Sequence, residues 1–225
     1  MNIGFVPLRG GSKSIPRKNI KPLNGKPLCW WVISALNESP LIDKIVVATD
    51  DDEIEETVKM FGFEKLSVFR RGRETSTDTA STESVMLEYI QSSSHKGDDV
   101  FLLAQATSPF TTPEHVNEAL EMFIDGKYDS LLSVTNVKRF IWSSDGEPLN
   151  YDFRNRPRRQ DFKGLLLENG ALYASSIRAI LDSKCRLSGR VGVYQMREES
   201  TAFEIDEPED WIIVESLHGR IRWGR

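Results

Sequence analysis

Residues 3–19 read IGFVPLRGGSKSIPRKN. An apolar run of strand length, residues 3–8, opens directly into a loop of small and cationic residues, with Arg9, Lys13, Arg17 and Lys18 set around Gly10, Gly11 and Ser12. Open α/β sheets hold ligands at the carboxyl ends of their strands, where small residues let an anion reach the backbone N–H groups and nearby cations neutralise it. A polyphosphate suits this loop. Neither the GxxxxGK[ST] pattern nor GxGxxG is present, which argues against a Walker A site and against a dinucleotide site. A solvated basic turn would explain the charges but not their position straight after the first apolar strand.

Outward from the loop, further short apolar runs occur at residues 44–48, 66–69, 100–104, 130–134 and 172–175. Between them, residues 27–36, 51–61, 81–92 and 113–123 carry apolar side chains at three- and four-residue spacing, and residues 208–217 form a last amphipathic stretch. This alternation predicts βαβ units and an α/β fold, a mostly parallel sheet with helices on both faces. Asp51 or Asp52 and Thr112 are suited to be N-caps, and Pro113 stands at a first-turn position where its missing N–H costs nothing. The periodicity stops after residue 134. Residues 138–161 are polar and rich in aromatics and arginine, and exposed rings such as Phe140, Trp142 and Tyr151 predict an excursion that packs on something else. The expectation is one domain over residues 1–225 with a dimerisation arm inserted at about 135–163.

Composition narrows the function classes. The 225 residues are 39% hydrophobic and 28% charged, as in an ordinary globular protein. With 29 basic and 34 acidic residues the net charge is −5, so no global positive field holds a nucleic acid. Cys29 and Cys185 form no CxxC pair and are read as reduced, partly buried thiols. No apolar run approaches the ~20 residues of a membrane span, and no leader-like segment opens the sequence, so no membrane association and a cytoplasmic location are expected. His95, His115 and His218 lack metal spacing and are expected on helices in surface or capping roles.

The densest carboxylate cluster is EIDEPED, with Glu204, Asp206, Glu207, Glu209 and Asp210 inside residues 204–210. Hard oxygen ligands of this kind suit Mg²⁺ bridging to phosphate. Strand alternation would place Glu204 and Asp206 on one face. Asp210 is read as a structural carboxylate in the first turn of the last helix.

Seven segments occur in order: VPLRGGSKSIPRKN from residue 6, VATDDDEI from 47, RRGRETSTDTAST from 70, LAQATSPF from 103, RPRRQD from 156, LENGALY from 167 and EIDEPEDW from 204. Together they resemble the acylneuraminate cytidylyltransferases, which make CMP-sialic acids, over nearly the whole chain. The resemblance implies a Rossmann-like nucleotidyltransferase fold and transfer of CMP from CTP to the anomeric 2-hydroxyl of a nine-carbon 2-keto sugar acid, with release of pyrophosphate. It also implies Mg²⁺ as cofactor and a homodimer. Carried over residue by residue, it implies that Leu8, Arg9, Gly11, Ser12, Lys18 and Asn19 bind the nucleotide, with Arg9, Ser12, Lys18 and Asn19 at the triphosphate and Arg9 and Lys18 as electrostatic catalysts. Arg71, Ala80 and Thr82 would frame the cytosine, while Gln105, Arg159, Asn169 and Tyr173 would lie by the sugar acid. Asp206 and Glu204 would be the metal ligands, Asp206 also acting in catalysis. The family motif has Ala where this chain has Leu8, and Asp where it has Glu204. Other acceptors, KDN, legionaminate or KDO, keep the same chemistry. A nucleotide-binding protein without catalysis is the reading from another class.

Overall fold

The computed structural model describes residues 1–223, with side chains through residue 220. The opening apolar run becomes β1 (Asn2–Leu8). After the loop, a two-stranded turn, β2 (Pro22–Leu23) and β3 (Lys26–Pro27), leads into α1 (Leu28–Glu38). Three further units follow: β4 (Lys44–Thr49) with α2 (Asp52–Lys59), β5 (Leu66–Arg70) with α3 (Thr82–Ser92), and β6 (Val100–Ala104) with α4 (Pro113–Asp125). Then come β7 (Ser130–Val137), β8 (Leu165–Ser176), α5 (Ile177–Ser183), β9 (Val191–Met196) and α6 (Pro208–Trp223).

Seven strands form one sheet in the order β5-β4-β1-β6-β8-β7-β9. All neighbours run parallel except β8, which lies antiparallel between β6 and β7. The chain moves from β1 to β4 and β5 on one side, then returns to β6 on the other. This leaves a crevice at the carboxyl end of β1, the switch point where such sheets bind ligands.

Helices cover both faces, as the alternation predicts. α1, α2 and α4 pack Val32, Ile33, Ile54, Val116 and Leu120 against Val6, Ile45, Val47 and Leu102. α3 and α5 pack Val85, Met86, Tyr89, Ile177 and Ile180 against Ile3, Phe5, Phe101 and Leu103 on the other face. A third cluster joins Ile15, Leu28, Trp31, Phe110, Ile205, Trp211 and Val214. That cluster bears on function: Ile15 anchors the first loop and Ile205 the carboxylate segment, so burying both brings two distant stretches of sequence together.

The N-cap expectations are met in detail. Asp51 Oδ1 accepts the Ile54 N–H at 3.0 Å, and Thr112 accepts the His115 N–H at 3.3 Å while His115 Nδ1 accepts from the Thr112 N–H. His95 departs from expectation, since it lies in the α3–β6 connection with a buried ring and not on a helix. Cys185 is exposed, whereas Cys29 is fully buried and its thiol is pushed up to about 12 by desolvation.

Residues 138–161 form a projection with its own small aromatic cluster. Phe140 packs on Tyr151 at 4.1 Å and on Phe162 at 5.0 Å, Arg156 stacks over Phe140 at 4.4 Å, and Trp142 Nε1 donates to the Tyr151 hydroxyl at 3.0 Å. Its base is a ribbon of residues 134–137 paired with 165–168. Leu165, Leu166 and Leu167 remain 42%, 52% and 47% exposed, so the ribbon presents apolar side chains on both faces.

Candidate active site

A cleft of about 500 Å³ opens at the carboxyl ends of β1, β5 and β6. Arg9, Ser12, Lys18 and Asn19 of the first loop line it together with Arg71, Ala80 and Thr82, Gln105 and Asp206. Nine residues expected at the site from sequence therefore share one cavity. Lys13, Ser14, Ser81, Thr107 and Glu207 join them.

The loop after β1 is held by its own polar groups. Asn19 Nδ2 donates to the Arg9 carbonyl at 3.0 Å, closing the loop on itself. Arg17, in the left-handed region at φ 56°, pairs with Asp51 at 2.6 Å and with Glu53. Lys13 pairs with Asp78 at 3.1 Å across the cleft, tying the loop to the opposite wall. At the far end Lys18 Nζ donates to the Ile205 carbonyl at 2.8 Å and to Asp206 Oδ1 at 3.0 Å, and the Ser14 hydroxyl donates to the Asp206 carbonyl at 2.5 Å. The loop cations and the acidic segment thus meet directly.

Arg71 follows β5, and its side chain is 5% exposed. One terminal nitrogen donates to the Thr75 carbonyl, the other lies 3.8 Å from Asp50 Oδ1, and among the described residues Nε has no partner. Burial depresses the guanidinium pKa, against the pull of Asp50 and Glu88. The 72–76 turn that frames it is fastened by Glu88, which accepts the Gly72 N–H at 2.7 Å and the Thr75 hydroxyl. Ser81 caps α3 by accepting the Ser84 N–H at 3.1 Å, so the segment caps a helix and walls the cleft at once.

Glu204 and Asp206 flank the buried Ile205 in an extended connection, not in a strand as the alternation suggested. Desolvation, then the charges of Asp206 and Asp210, raise the Glu204 carboxyl. Asp210 Oδ2 accepts the N–H groups of Asp206 at 3.0 Å and Glu207 at 2.8 Å, which gives it the structural role expected of it. Among the described residues no group of three or more His, Cys, Asp or Glu side chains is arranged to hold a metal ion.

The remaining expected residues, Glu204 among them, are not in the lining of this cleft. Leu8 is fully buried in the core, leaving only its backbone to face a ligand. Gly11 is exposed at the loop tip and is not part of the cleft lining. Asn169 is 4% exposed and spent on structure: its Oδ1 accepts the Ser133 hydroxyl at 2.7 Å and its Nδ2 donates to the Thr201 carbonyl at 3.1 Å. Tyr173 is buried with its hydroxyl on Glu168, and Arg186 stacks over its ring at 5.0 Å while pairing with Glu83 at 2.5 Å. Arg159 is exposed on the projection. Of the other lining residues, Lys13 is one of the four loop cations, Ser14 sits beside it in the quoted loop, and Thr107 follows β6. Their side-chain directions follow from the tertiary positions of Asp206 and Asp78, which sequence spacing does not supply.

The comparisons agree with this architecture. N-acylneuraminate cytidylyltransferase B of Danio rerio is 39% identical over 214 residues, covering 92% of this chain and 49% of that protein. The N-acylneuraminate cytidylyltransferase of Streptococcus agalactiae serotype V is 31% identical over 220 residues, covering 94% of this chain and 52% of that protein. The chain spans about half the length of the curated relatives it matches. Among solved structures, a CMP:2-keto-3-deoxy-manno-octonic acid synthetase complexed with CTP superposes with TM-score 0.71 at 18% identity, covering 98% of this chain and 99% of that one. The 4-diphosphocytidyl-2C-methyl-D-erythritol synthase of Anaerococcus prevotii gives 0.66 at 14%, covering 97% and 96%; both likenesses are of fold. With the cytidylyltransferase family model matching residues 3–219, the chain belongs to the cytidylyltransferase family.

Proposed function

We propose that the chain transfers CMP from CTP to the anomeric 2-hydroxyl of a sialic acid, N-acetylneuraminate or a close relative, releasing pyrophosphate. The observation that carries this reading is the single cleft in which the cationic loop, the buried Arg71 and the acidic pair Asp206 and Glu207 converge. In the reaction the sugar oxygen bonds to the α-phosphorus as the bond from that phosphorus to the β-phosphate oxygen breaks. The protein's task is positioning and charge stabilisation. Arg9 and Lys18 hold the triphosphate and stabilise the charge that grows on the leaving pyrophosphate. The loop N–H groups and the Ser12 hydroxyl supply neutral donors. Arg71 offers its guanidinium to the cytosine carbonyl, and Ala80 and Thr82 keep that end narrow enough for a pyrimidine. Gln105 stands at the acceptor side of the cleft.

The acidic segment fits a divalent cation. Burial, and after it the charges of Asp206 and Asp210, raise the Glu204 carboxyl, and a cation would offset both. We assign Asp206 and Glu204 as the residues that would hold Mg²⁺, completed by phosphate oxygens. Bound there, the ion supplies charge neutralisation to the triphosphate.

The projection supports a homodimer, because a ribbon with leucines exposed on both faces beside exposed Trp142, Leu149 and Phe153 leaves an apolar surface that a second copy would cover. Reduced Cys29 and Cys185 fit a cytoplasmic setting. No helix among the described residues is long and apolar enough to cross a membrane.

The reading is tested by pyrophosphate release with CTP and Mg²⁺ against N-acetylneuraminate, KDN, legionaminate and KDO, with ATP, GTP and UTP as controls. CTP-dependent release with N-acetylneuraminate supports it. Release with KDO alone moves the substrate to the eight-carbon acids, and CTP binding without release under any acid favours a non-catalytic nucleotide-binding protein.

A further inference from the structure

Asp50 touches both halves of the nucleotide cleft, yet none of the roles above uses it. The turn that bears it is braced independently of its side chain. Thr49 Oγ1 accepts the Asp51 N–H at 3.2 Å, Asp51 caps α2, and the Thr49 carbonyl accepts the Arg71 N–H at 3.0 Å. The Asp50 side chain is not needed for that bracing, and a single oxygen, Oδ1, makes both contacts. It accepts the Gly10 N–H at 3.2 Å, and it lies 3.8 Å from the Arg71 guanidinium. The approach of the loop to this turn is close: a Cβ on Gly10 would come within 2.4 Å of Asp51 Oδ2, so only glycine lets the backbone reach.

A carboxylate beside a polyphosphate loop is costly in a site built for anions alone, because it repels the ligand and occupies an N–H that could have met it. Its position makes sense if it serves the buried Arg71, whose guanidinium needs a counter-charge and a fixed direction and whose Nε is unpartnered among the described residues. We propose that Asp50 is a positioning residue that fixes Arg71 relative to the triphosphate loop, so that base and triphosphate are read as one unit. The proposal rests on the CTP reading of the site.

The test measures binding of CTP, UTP and inorganic tripolyphosphate to the full chain and its variants by calorimetry. Asp50→Asn keeps an acceptor for Gly10 and removes the charge facing Arg71. We expect it to lower the CTP-over-UTP preference roughly tenfold while tripolyphosphate binds as well as before or more tightly. Asp50→Ala is expected to bind tripolyphosphate less well than Asp50→Asn, since the Gly10 contact is also lost. A purely structural role would weaken all three ligands together, and that result overturns the proposal. An unchanged CTP-over-UTP preference in Asp50→Asn overturns it as well. Arg71→Lys supplies a second route: its loss of preference should not add to that of Asp50→Asn in the double variant, and full additivity counts against coupling. If the wild-type chain fails to bind CTP, the functional reading falls first. Wild-type CTP binding with any of the adverse variant results removes only the role of Asp50.

Discussion

Arg9 in the first loop and Asp206 in the acidic segment both line the cleft, and each should be worth far more to turnover than to stability. Arg9 is exposed and its side chain reaches the Asp78 carbonyl at 3.5 Å, so its truncation leaves the core intact. Arg9→Ala is expected to lower kcat/KM for CTP by about 10²- to 10³-fold with an unchanged urea midpoint, read by steady-state kinetics and a denaturation curve. Asp206→Ala should likewise fold and lose turnover; unchanged activity would remove the metal assignment. Glu83 tests the opposite case, a residue beside the cleft whose work is structural. The Arg186 hydrogen bond holds its carboxyl below the usual 4.5 despite some burial. Because the folded value is depressed, the stabilisation is complete above pH 4.5 and fades as pH falls through the folded value. Glu83→Gln should therefore cost about 1–2 kcal/mol at pH 7 in urea melts, and the gap to wild type should shrink as pH falls below 4.5. Individual site residues were legible where one stretch of sequence carries its own chemistry, as with Arg9, Lys18 and Asn19. What the sequence does not supply is the tertiary hydrogen bonding that holds the other side chains, as Glu168 holds Tyr173 and as Ser133 and Thr201 hold Asn169.

At the scale of elements, helices were easiest to read because their ends announce themselves. Thr112, Pro113 and His115 form a reciprocal cap at the start of α4, and Thr112→Ala is expected to cost about 1 kcal/mol of unfolding free energy in urea melts. The strands were harder. The reading found the core of β8 at residues 172–175 but neither its antiparallel direction nor its extension to residue 165, because the exposed leucines there follow no alternation against a core. β9 escaped the count of apolar runs for a related reason: its exposed positions are Val191, Val193 and Gln195 and its buried ones Gly192, Tyr194 and Met196, an alternation that does not form a continuous apolar run. Within β8, Gly170 has φ 68°, and a Cβ there would lie 2.8 Å from Glu204 Oε2. Gly170→Ala is thus expected to cost stability and, by pushing Glu204, turnover as well, whereas a purely conformational strain would leave kcat untouched.

For the molecule as a whole, the same strand reversal sets where its surfaces lie. With β8 antiparallel, residues 165–168 emerge at the carboxyl ends of the parallel strands, so the exposed ribbon rises on the side of the sheet that bears the cleft. If this ribbon is the dimer surface, Leu166→Lys combined with Phe153→Ser should yield monomers in sedimentation velocity, at the concentration where the wild type sediments as a dimer. The order of synthesis gives the reversal another consequence. β5, β4, β1 and β6 can assemble as soon as residue 104 has been made, but the outer partner of β6 comes from a strand that begins only at residue 165. Until then the most apolar strand of the sheet, VFLLA, is an open edge on a growing chain. A nascent chain halted before β8 should stick to its neighbours or to a chaperone, and the full chain should not, so the ribosome's pace through residues 105–176 becomes part of how this sheet is made safely.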